Sequence, residues 1–173
     1  MMLKNKVAIV TGGTRGIGFA VVKKFIENGA AVSLWGSRQE TVDQALEQLK
    51  ELYPDAKISG KYPSLKDTAQ VTAMINQVKE EFGAVDILVN NAGISQSTSF
   101  YNYQPEEFQK IVDLNVTAVF NCSQAAAKIM KEQGGGVILN TSSMVSIYGQ
   151  PSGCGYPASV SYTHLRAHET PEH

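Results

Sequence analysis

The stretch Val7-Ala-Ile-Val-Thr-Gly-Gly-Thr-Arg-Gly-Ile-Gly18 decides how this chain folds. Its apolar run at residues 7–10, which ends in a glycine-rich turn, is typical of a buried parallel strand. After the turn, apolar residues recur at helical spacing until Gly29 ends the pattern. The stretch therefore predicts a strand, a tight turn and a helix in direct succession.

The turn is a candidate site for the pyrophosphate of a dinucleotide. Gly12 permits a tight turn, Gly16 permits close approach of the phosphates, and Gly18 permits close packing of the helix on the strand. The first helical N–H groups and the positive end of the helix dipole then face the phosphates. A plain tight turn is the alternative, but the position between a strand and a helix favours binding. The candidate residues are Gly12, Thr14, Arg15, Gly16, Ile17 and Gly18.

Strand-like and helix-like segments continue to alternate along the chain. Further strands are predicted at residues 31–35, 57–60, 85–89 and 137–139, and further helices at the starts Ser37, Ser64 and Pro105. The helix from Pro105 is expected to be long and to reach about Lys131. This alternation predicts an α/β fold with a Rossmann-type, doubly wound parallel sheet and helices on both faces.

The composition limits the class of protein. The chain has 173 residues, of which 43% are hydrophobic and 18% charged, and a formal net charge of −1. These values suit one soluble globular domain and give no electrostatic reason to expect nucleic acid or an anionic membrane as a partner. No apolar run approaches the ~20 residues of a membrane span, and the N-terminus lacks an apolar signal core. We expect a cytoplasmic protein in which Cys122 and Cys154 are free thiols.

The end of the predicted second strand, Trp35-Gly-Ser-Arg38, bears on the choice of dinucleotide. An acidic residue there would bind the ribose 2′-hydroxyl of NAD, and this segment has none. Arg38 can pair with the 2′-phosphate of NADP, and Arg15 can add a second cation. In the alternative, Ser37 only caps a helix and Arg38 is a solvated residue of its first turn. The segment favours NADP over NAD, with Ser37 and Arg38 as candidate binding residues.

Four further motifs follow the turn in a fixed order. They are Asn90-Asn-Ala-Gly93, Asn115 in Leu-Asn-Val, Ser143 in Asn-Thr-Ser-Ser, and Tyr156 in Gly-Tyr-Pro-Ala-Ser. Together with the glycine turn they resemble the short-chain dehydrogenase/reductase family over about residues 5–159. The Gly-x-x-x-Gly-x-Gly form of the turn is similar to that of the single-domain branch of this family. Within it, the chain resembles most the 3-oxoacyl-acyl-carrier-protein reductase group.

The resemblance implies an oxidoreductase that interconverts a carbonyl and a secondary alcohol of a small-molecule substrate with NADP(H). It implies that Tyr156 is the general acid and base, that Ser143 hydrogen-bonds the substrate oxygen, and that Asn115 positions a water molecule of a proton relay. The residues that it implies as a lining of the cofactor are Asn90, Ala92 and Gly93. The complete protein is implied to be a homodimer or homotetramer.

The family pattern fails at position 160. A tyrosine in water has a pKa of about 10, and in this family a lysine four residues further on lowers it towards working pH. Here that position is Val160, which carries no charge and donates no side-chain hydrogen bond. Residues 160–170 instead resemble the translation of a transposon-end adapter used in DNA library preparation. We therefore predict an NADP-binding domain at residues 1–159 and a non-native, disordered tail at residues 160–173.

The resemblance implies that the chain is the N-terminal part of a protein of about 250 residues. Its sheet would then be incomplete, with about five of roughly seven strands. As written, the chain is expected to be poorly soluble and to have negligible reductase activity. The third strand also leads to Ser64, where the family has an aspartate near the adenine.

Other functions remain open. Hydroxysteroid and sugar-alcohol dehydrogenases share every motif quoted above, and no residue identifies the substrate, its stereochemistry or the direction of reaction. A non-catalytic nucleotide-binding relative, or an inactive fragment, would also keep these motifs while lacking the lysine. The three histidines, His164, His168 and His173, lie in the last ten residues. Their spacing fits no standard metal site, so no metal is expected.

Overall fold

Five parallel strands form the centre of the computed structural model, which describes residues 1–148 and 153–161. The strands are β1 (Val7–Thr11), β2 (Ala31–Trp35), β3 (Ile58–Lys61), β4 (Ile87–Asn90) and β5 (Val137–Asn140). Their order across the sheet is β3-β2-β1-β4-β5, and every pairing between neighbours is parallel. The predicted doubly wound, Rossmann-type parallel sheet is confirmed.

The chain changes its direction of travel across the sheet beside β1. From β1 it moves through β2 to β3 at one edge, and it then crosses to β4 on the other side of β1. Ile9 of β1 accordingly pairs with Ser33 of β2 on one side and with Leu88 of β4 on the other. At such a point the loops after the two diverging strands separate and leave a crevice at their carboxyl ends.

Helices cover both faces of the sheet. They are α1 (Gly16–Glu27), α2 (Gln39–Leu52), α3 (Thr68–Phe82), α4 (Pro105–Val112), α5 (Ala118–Glu132) and α6 (Gly155–Ser161). Alternate side chains of β1 point to opposite faces, so Val7 and Ile9 pack with α3 and α5, whereas Ala8 and Val10 pack with α1 and α2. Burial on both faces explains why residues 7–10 of β1 are all apolar.

Two helices begin later than the sequence predicts. Arg38, and not the preceding serine, occupies the N-cap of α2, and it makes no side-chain cap bond. In α3 the N-cap is Asp67 instead of Ser64, and its Oδ1 accepts from the N–H groups of Ala69 at 2.9 Å and Gln70 at 3.1 Å. The backbone N–H of Gln70 is the main cause that lowers the pKa of the Asp67 carboxyl. A carboxylate suits the positive end of a helix better than a neutral hydroxyl does.

The predicted long helix from Pro105 changes its winding in the middle. α4 passes into a π-helical turn at Asp113–Thr117, and α5 continues directly from Ala118. Such turns are rare and occur frequently at functional sites. Asn115 lies at the centre of this one and is buried.

α6 is the last described element of the chain. Val160 is buried in it, with only 7% of its surface exposed, and Ser161 is its last residue. The helix therefore includes two residues that the sequence prediction assigned to a disordered tail. Residues 149–152 and 162–173, with the rest of that tail and the three histidines, lie outside the described residues. Within the described ranges, no helix is both long and apolar enough to cross a membrane.

Burial controls the reactivity of Cys122. This residue packs between α5 and the sheet, and burial raises the pKa of its thiol to about 12. Since the thiolate is the reactive form, dithionitrobenzoate at about pH 8 should modify Cys122 at least ~100-fold more slowly in the folded chain than in urea. Release of thionitrobenzoate from a Cys154→Ser variant measures this rate.

The control is the reciprocal Cys122→Ser variant, which leaves only the half-buried Cys154. We expect this variant to react faster than Cys154→Ser under native conditions. Equal rates for Cys122 in the folded and the unfolded chain would contradict its burial.

Candidate functional site

A cleft of about 880 Å³ opens at the carboxyl ends of β1 and β4. It lies where the strand order reverses, which is the usual ligand site of open α/β sheets. Its volume is within the range of small-molecule sites. The lining residues fall within the ranges 12–18, 35–37, 62–70, 91–94 and 110–114.

The turn after β1 is packed tightly on its inner side and open at Gly16. Gly12 has a φ of 64°, and a β-carbon on it would lie 3.0 Å from Cα of Ala92. A β-carbon on Gly18 would overlap the carbonyl oxygen of Gly12, so the first turn of α1 touches the end of β1 directly. A β-carbon on Gly16 would meet nothing within 4 Å. The turn therefore exposes backbone where a phosphate group could approach.

The cleft carries an excess of positive charge. Its charged lining residues are Arg15, Lys66, Lys110 and Asp113. α1 has no acidic residue in its first turn, and Arg15 at its N-cap makes no side-chain cap bond. The positive end of the helix dipole is therefore not neutralised from within the helix. The three cations and this helix end together favour an anionic ligand.

One threonine joins the ends of β1 and β4. Thr11 Oγ1 donates to the carbonyl of Val89 at 3.3 Å and accepts from the N–H groups of Asn91 at 3.0 Å and Ala92 at 3.1 Å. Asn91 Nδ2 donates back to the carbonyls of Thr11 at 3.1 Å and Gly12 at 3.3 Å. These bonds fix both loops at the floor of the cleft. Sequence reasoning missed Asn91, although it stands inside the quoted fourth-strand motif.

Asn90 holds the sheet together instead of lining the cleft. Its Nδ2 donates to Ser123 Oγ at 2.9 Å and to Asn140 Oδ1 at 2.8 Å, so it joins β4 to α5 and β5. It is buried and is not among the described residues that line the cleft. Ala92 and Gly93 of the same motif do line it.

The end of β2 forms a second wall of the cleft. Trp35, Gly36 and Ser37 line it, whereas the exposed Arg38 is not among the described lining residues. A β-carbon on Gly36 would lie 2.7 Å from Cγ2 of Thr14, so this wall packs directly against the glycine turn. The indole of Trp35 is fully buried, and the sequence prediction gave it no role in the site.

Asn115 connects the cleft to α6. Its Oδ1 accepts from the N–H of Ile94 at 2.9 Å, and its Nδ2 donates to the carbonyl of Ile94 and to Ser159 Oγ, both at 2.9 Å. Ser159 Oγ donates in turn to the carbonyl of Tyr156 at 2.8 Å. A β-carbon on Gly93 would lie 3.3 Å from Oδ1 of Asn115. A chain of hydrogen bonds thus joins the loop after β4 to the helix that carries Tyr156.

Ser143 and Tyr156 lie on elements that pack together. Ser143 caps a short 3₁₀ turn at Met144–Ser146, where its Oγ accepts from the N–H of Val145 at 3.4 Å. Tyr156 is the half-buried second residue of α6, which packs against this turn, α4 and the π-turn. The structure therefore brings the elements of Asn115, Ser143 and Tyr156 together. None of these three is among the described residues that line the cleft.

Two parts of the lining were absent from the sequence prediction, apart from Ser64, which the prediction placed near the adenine. Residues 62–66 follow β3 directly, so the rule that ligands bind at the carboxyl ends of strands could have found them. Lys110, Asp113 and Leu114 come from the end of α4 and the π-turn. No local pattern marks these three, because tertiary packing alone brings them to the cleft.

Known proteins match the chain over most of its length. A family model described as short chain dehydrogenase matches residues 6–166. The chain is 35% identical over 158 residues to the 3-oxoacyl-[acyl-carrier-protein] reductase FabG of Chlamydia muridarum. That match covers 91% of this chain and 63% of the relative, so the chain spans less than two thirds of that protein.

Solved structures share the architecture. The crystal structure of a short-chain type dehydrogenase/reductase from Mycobacterium marinum matches with a TM-score of 0.88 and 34% identity, and covers 94% of this chain and 67% of that one. The crystal structure of an NAD⁺-bound xylitol dehydrogenase matches with a TM-score of 0.90 and 26% identity, over 95% and 63% of the two chains.

Asn115→Asp tests the link between the cleft and α6. The change keeps the size of the side chain, removes both Nδ2 donors and places a carboxylate opposite the carbonyl of Ile94. We expect the free energy of unfolding to fall by about 3 kcal/mol at neutral pH, because the buried charge would face an acceptor. Urea denaturation followed by tryptophan fluorescence measures the change.

Asn102→Asp is the matched control, because it adds the same charge at an exposed position. We expect it to change the free energy of unfolding by no more than about 0.5 kcal/mol. Coincident unfolding curves for the two variants would show that Asn115 does not hold these elements together.

Proposed function

Because the chain belongs to the short-chain dehydrogenase family, we propose that it is the dinucleotide-binding part of an NADP(H)-dependent oxidoreductase. The proposed reaction interconverts a carbonyl and a secondary alcohol of a small molecule. The cleft between the ends of β1 and β4 carries this proposal, because its glycine turn and its helix end suit a pyrophosphate.

The described residues fit a dinucleotide along the whole cleft. The open backbone at Gly16 and the N–H groups at the start of α1 would hold the pyrophosphate. Ser37 at the end of β2 would face the adenosine ribose, and Ala92 and Gly93 after β4 would face the other half of the cofactor. A bound nicotinamide would supply hydride to the substrate carbon or accept it from that carbon.

We favour NADP over NAD as the cofactor. The end of β2 holds no carboxylate for a ribose 2′-hydroxyl, and Arg15 lies in the lining of the cleft. Arg38 is exposed next to Ser37, within reach of solvent at the same wall. These cations suit a 2′-phosphate. The NAD⁺-bound xylitol dehydrogenase has the same fold, so these side chains, and not the fold, favour NADP.

Tyr156, Ser143 and Asn115 are the proposed catalytic group. In the reductive direction the Tyr156 hydroxyl donates its proton to the substrate carbonyl oxygen, and in the oxidative direction it takes the proton back. The Ser143 hydroxyl donates a hydrogen bond to the same oxygen. Both Nδ2 hydrogens of Asn115 are already engaged, so a relay water would bind at one of its oxygen atoms.

Val160 favours a second candidate function, which is dinucleotide binding without turnover. It lies one helical turn after Tyr156 on the same side of α6, where an ammonium would favour the phenolate. A buried valine gives the tyrosine no such partner. The 173-residue chain is therefore proposed to bind the cofactor and to lack activity, whereas a complete protein with lysine at this position would be active.

The substrate class of the complete protein is proposed from its relatives. Identity to the reductase of Chlamydia muridarum supports a 3-oxoacyl thioester, and the xylitol dehydrogenase keeps a sugar alcohol as an alternative. A hydroxysteroid is a further alternative from the shared motifs. A homodimer or homotetramer in the cytoplasm is the proposed setting.

NADPH binding tests the cofactor assignment. The single tryptophan, Trp35, lies at the wall of the cleft with its indole buried, so a bound reduced nicotinamide dinucleotide should quench its fluorescence by energy transfer. We expect Arg15→Ala and Arg38→Ala each to weaken NADPH binding about tenfold, because each removes a charge-assisted bond to the 2′-phosphate. NADH binding should change by less than about twofold, since NADH lacks that phosphate.

Lys24→Ala is the control, because it removes one positive charge at the far end of α1. It should leave both dissociation constants unchanged. Equal losses for NADPH and NADH in the arginine variants would refute the preference for NADP, and absence of binding in the unchanged chain would refute the dinucleotide site.

Turnover tests the consequence of Val160. With acetoacetyl-coenzyme A as substrate, the 173-residue chain should oxidise NADPH no faster than its Tyr156→Phe variant. The loss of nicotinamide absorbance measures the rate. Turnover that disappears in Tyr156→Phe would show that the chain is catalytic with valine at position 160.

A further inference from the structure

A buried amide on α5 holds the loop between β3 and α3. Asn121 has 4% of its surface exposed. Its Nδ2 donates to the carbonyl of Leu65 at 3.1 Å, and its Oδ1 accepts from Thr68 Oγ1 at 3.2 Å. Leu65 lies in the β3–α3 connection and Thr68 is the first residue of α3, and both are more than fifty residues away in sequence. The sequence motifs and the proposed catalytic group leave Asn121 without a role.

The loop that Asn121 holds is a wall of the cleft. Residues 62–66 all line it, and Leu65 is one of them. On its outer side the loop is fixed by exposed bonds, such as that from the N–H of Ser64 to Gln70 Oε1 at 3.0 Å. Asn121 supplies the attachment from the protein interior. The position of this wall relative to α5 therefore depends on the amide of Asn121.

The strand order shows which half of a dinucleotide this wall would face. β3 lies beside β2, on the side of β1 opposite to β4 and β5. The end of β2 is where the adenosine ribose binds in folds of this kind. The wall at residues 62–66 thus lies on the adenosine side of the cleft, whereas Asn115 and α6 belong to the other side.

The polar side chain at position 121 indicates that this residue serves to place the β3–α3 loop. Burying an amide costs free energy unless its groups are hydrogen-bonded, and an apolar side chain of similar size would fill the same space. Asn121 is followed on α5 by Cys122, Ala125 and Ala126, which are buried in the apolar core. A polar residue at the border of this core gains from the two loop contacts that it makes.

We infer that Asn121 is a positioning residue that sets the β3–α3 wall for the adenosine half of the bound dinucleotide. This inference rests on the proposed function, because it assumes that the cleft takes such a ligand. Asn121 acts through Leu65 and Thr68 and touches neither the ligand nor the reacting atoms.

The test uses the two halves of the cofactor as separate probes. Adenosine 2′,5′-bisphosphate represents one half and reduced nicotinamide mononucleotide the other. Asn121→Leu keeps the number and branching of the side-chain heavy atoms and removes both bonds, and it should weaken the adenosine probe about tenfold while the nicotinamide probe changes less than about twofold. Thr68→Val removes only the hydroxyl, and it should weaken the adenosine probe about threefold.

Gln133→Leu is the matched control. Gln133 holds the backbone of Val85 from the other end of α5, with Nε2 donating to the carbonyl at 2.8 Å and Oε1 accepting from the N–H at 3.2 Å. This attachment lies just before β4, at the amino ends of the strands, whereas the cleft lies at their carboxyl ends. Gln133→Leu should lower thermal stability and leave the binding ratio of the two probes unchanged.

The outcomes separate this inference from the proposed function. If the unchanged chain binds NADPH and both probes, selective loss of the adenosine probe in Asn121→Leu and Thr68→Val supports the inference. Equal loss of both probes, or no loss beyond that of Gln133→Leu, overturns it and leaves the proposed function intact. If Asn121→Leu does not fold, Thr68→Val decides alone, because Thr68 is exposed. If the unchanged chain binds no nucleotide, both proposals fail.

Discussion

The contact between the first turn of α1 and the end of β1 is the constraint on which the rest of the structure depends. Gly18 lies so close to the carbonyl of Gly12 that only hydrogen fits as its side chain. This contact brings the helix N-terminus to the carboxyl edge of the sheet, where Asn91 holds the same carbonyl from the β4 side. A helix shifted outward by the width of a methyl group would carry its unpaired N–H groups away from the crevice, because interiors packed this closely do not absorb such a change.

Most of the fold could be predicted from the sequence because burial leaves a regular trace. A strand covered on both faces is mainly apolar, as residues 7–10 of β1 are, and each helix repeats its apolar residues at helical spacing. The errors came where neighbouring residues compete for one role, as when Asp67 caps α3 in place of Ser64. The π-turn had no local signal either, since Asn115 is held there by Ile94 and Ser159 from other parts of the chain.

Residues of the site could be predicted only where a local sequence motif indicates their chemical role. The glycine turn lines the cleft as expected, but Asn90 and Asn91 show the limit of a motif. The first of these two asparagines binds β5 and α5, and the second binds the glycine turn. The geometry of the strand end determines which of the two asparagines faces the cleft. The sequence of the motif does not show this orientation. Lys66 and Lys110 reach the cleft through packing between distant segments, which no local window of sequence records.

The π-turn also restricts the number of residues that the helical segment from α4 to α5 can have. An α-helix rotates by about 100° for each residue, so the extra residue in Asp113–Thr117 sets the angular phase of α4 relative to α5. Removal of one residue from this turn would restore regular winding and rotate the two helices out of phase. Either Ile111 would leave the interior or Asn121 would leave the β3–α3 loop. In this segment, natural variation should therefore proceed by substitution, and gain or loss of single residues should be selected against.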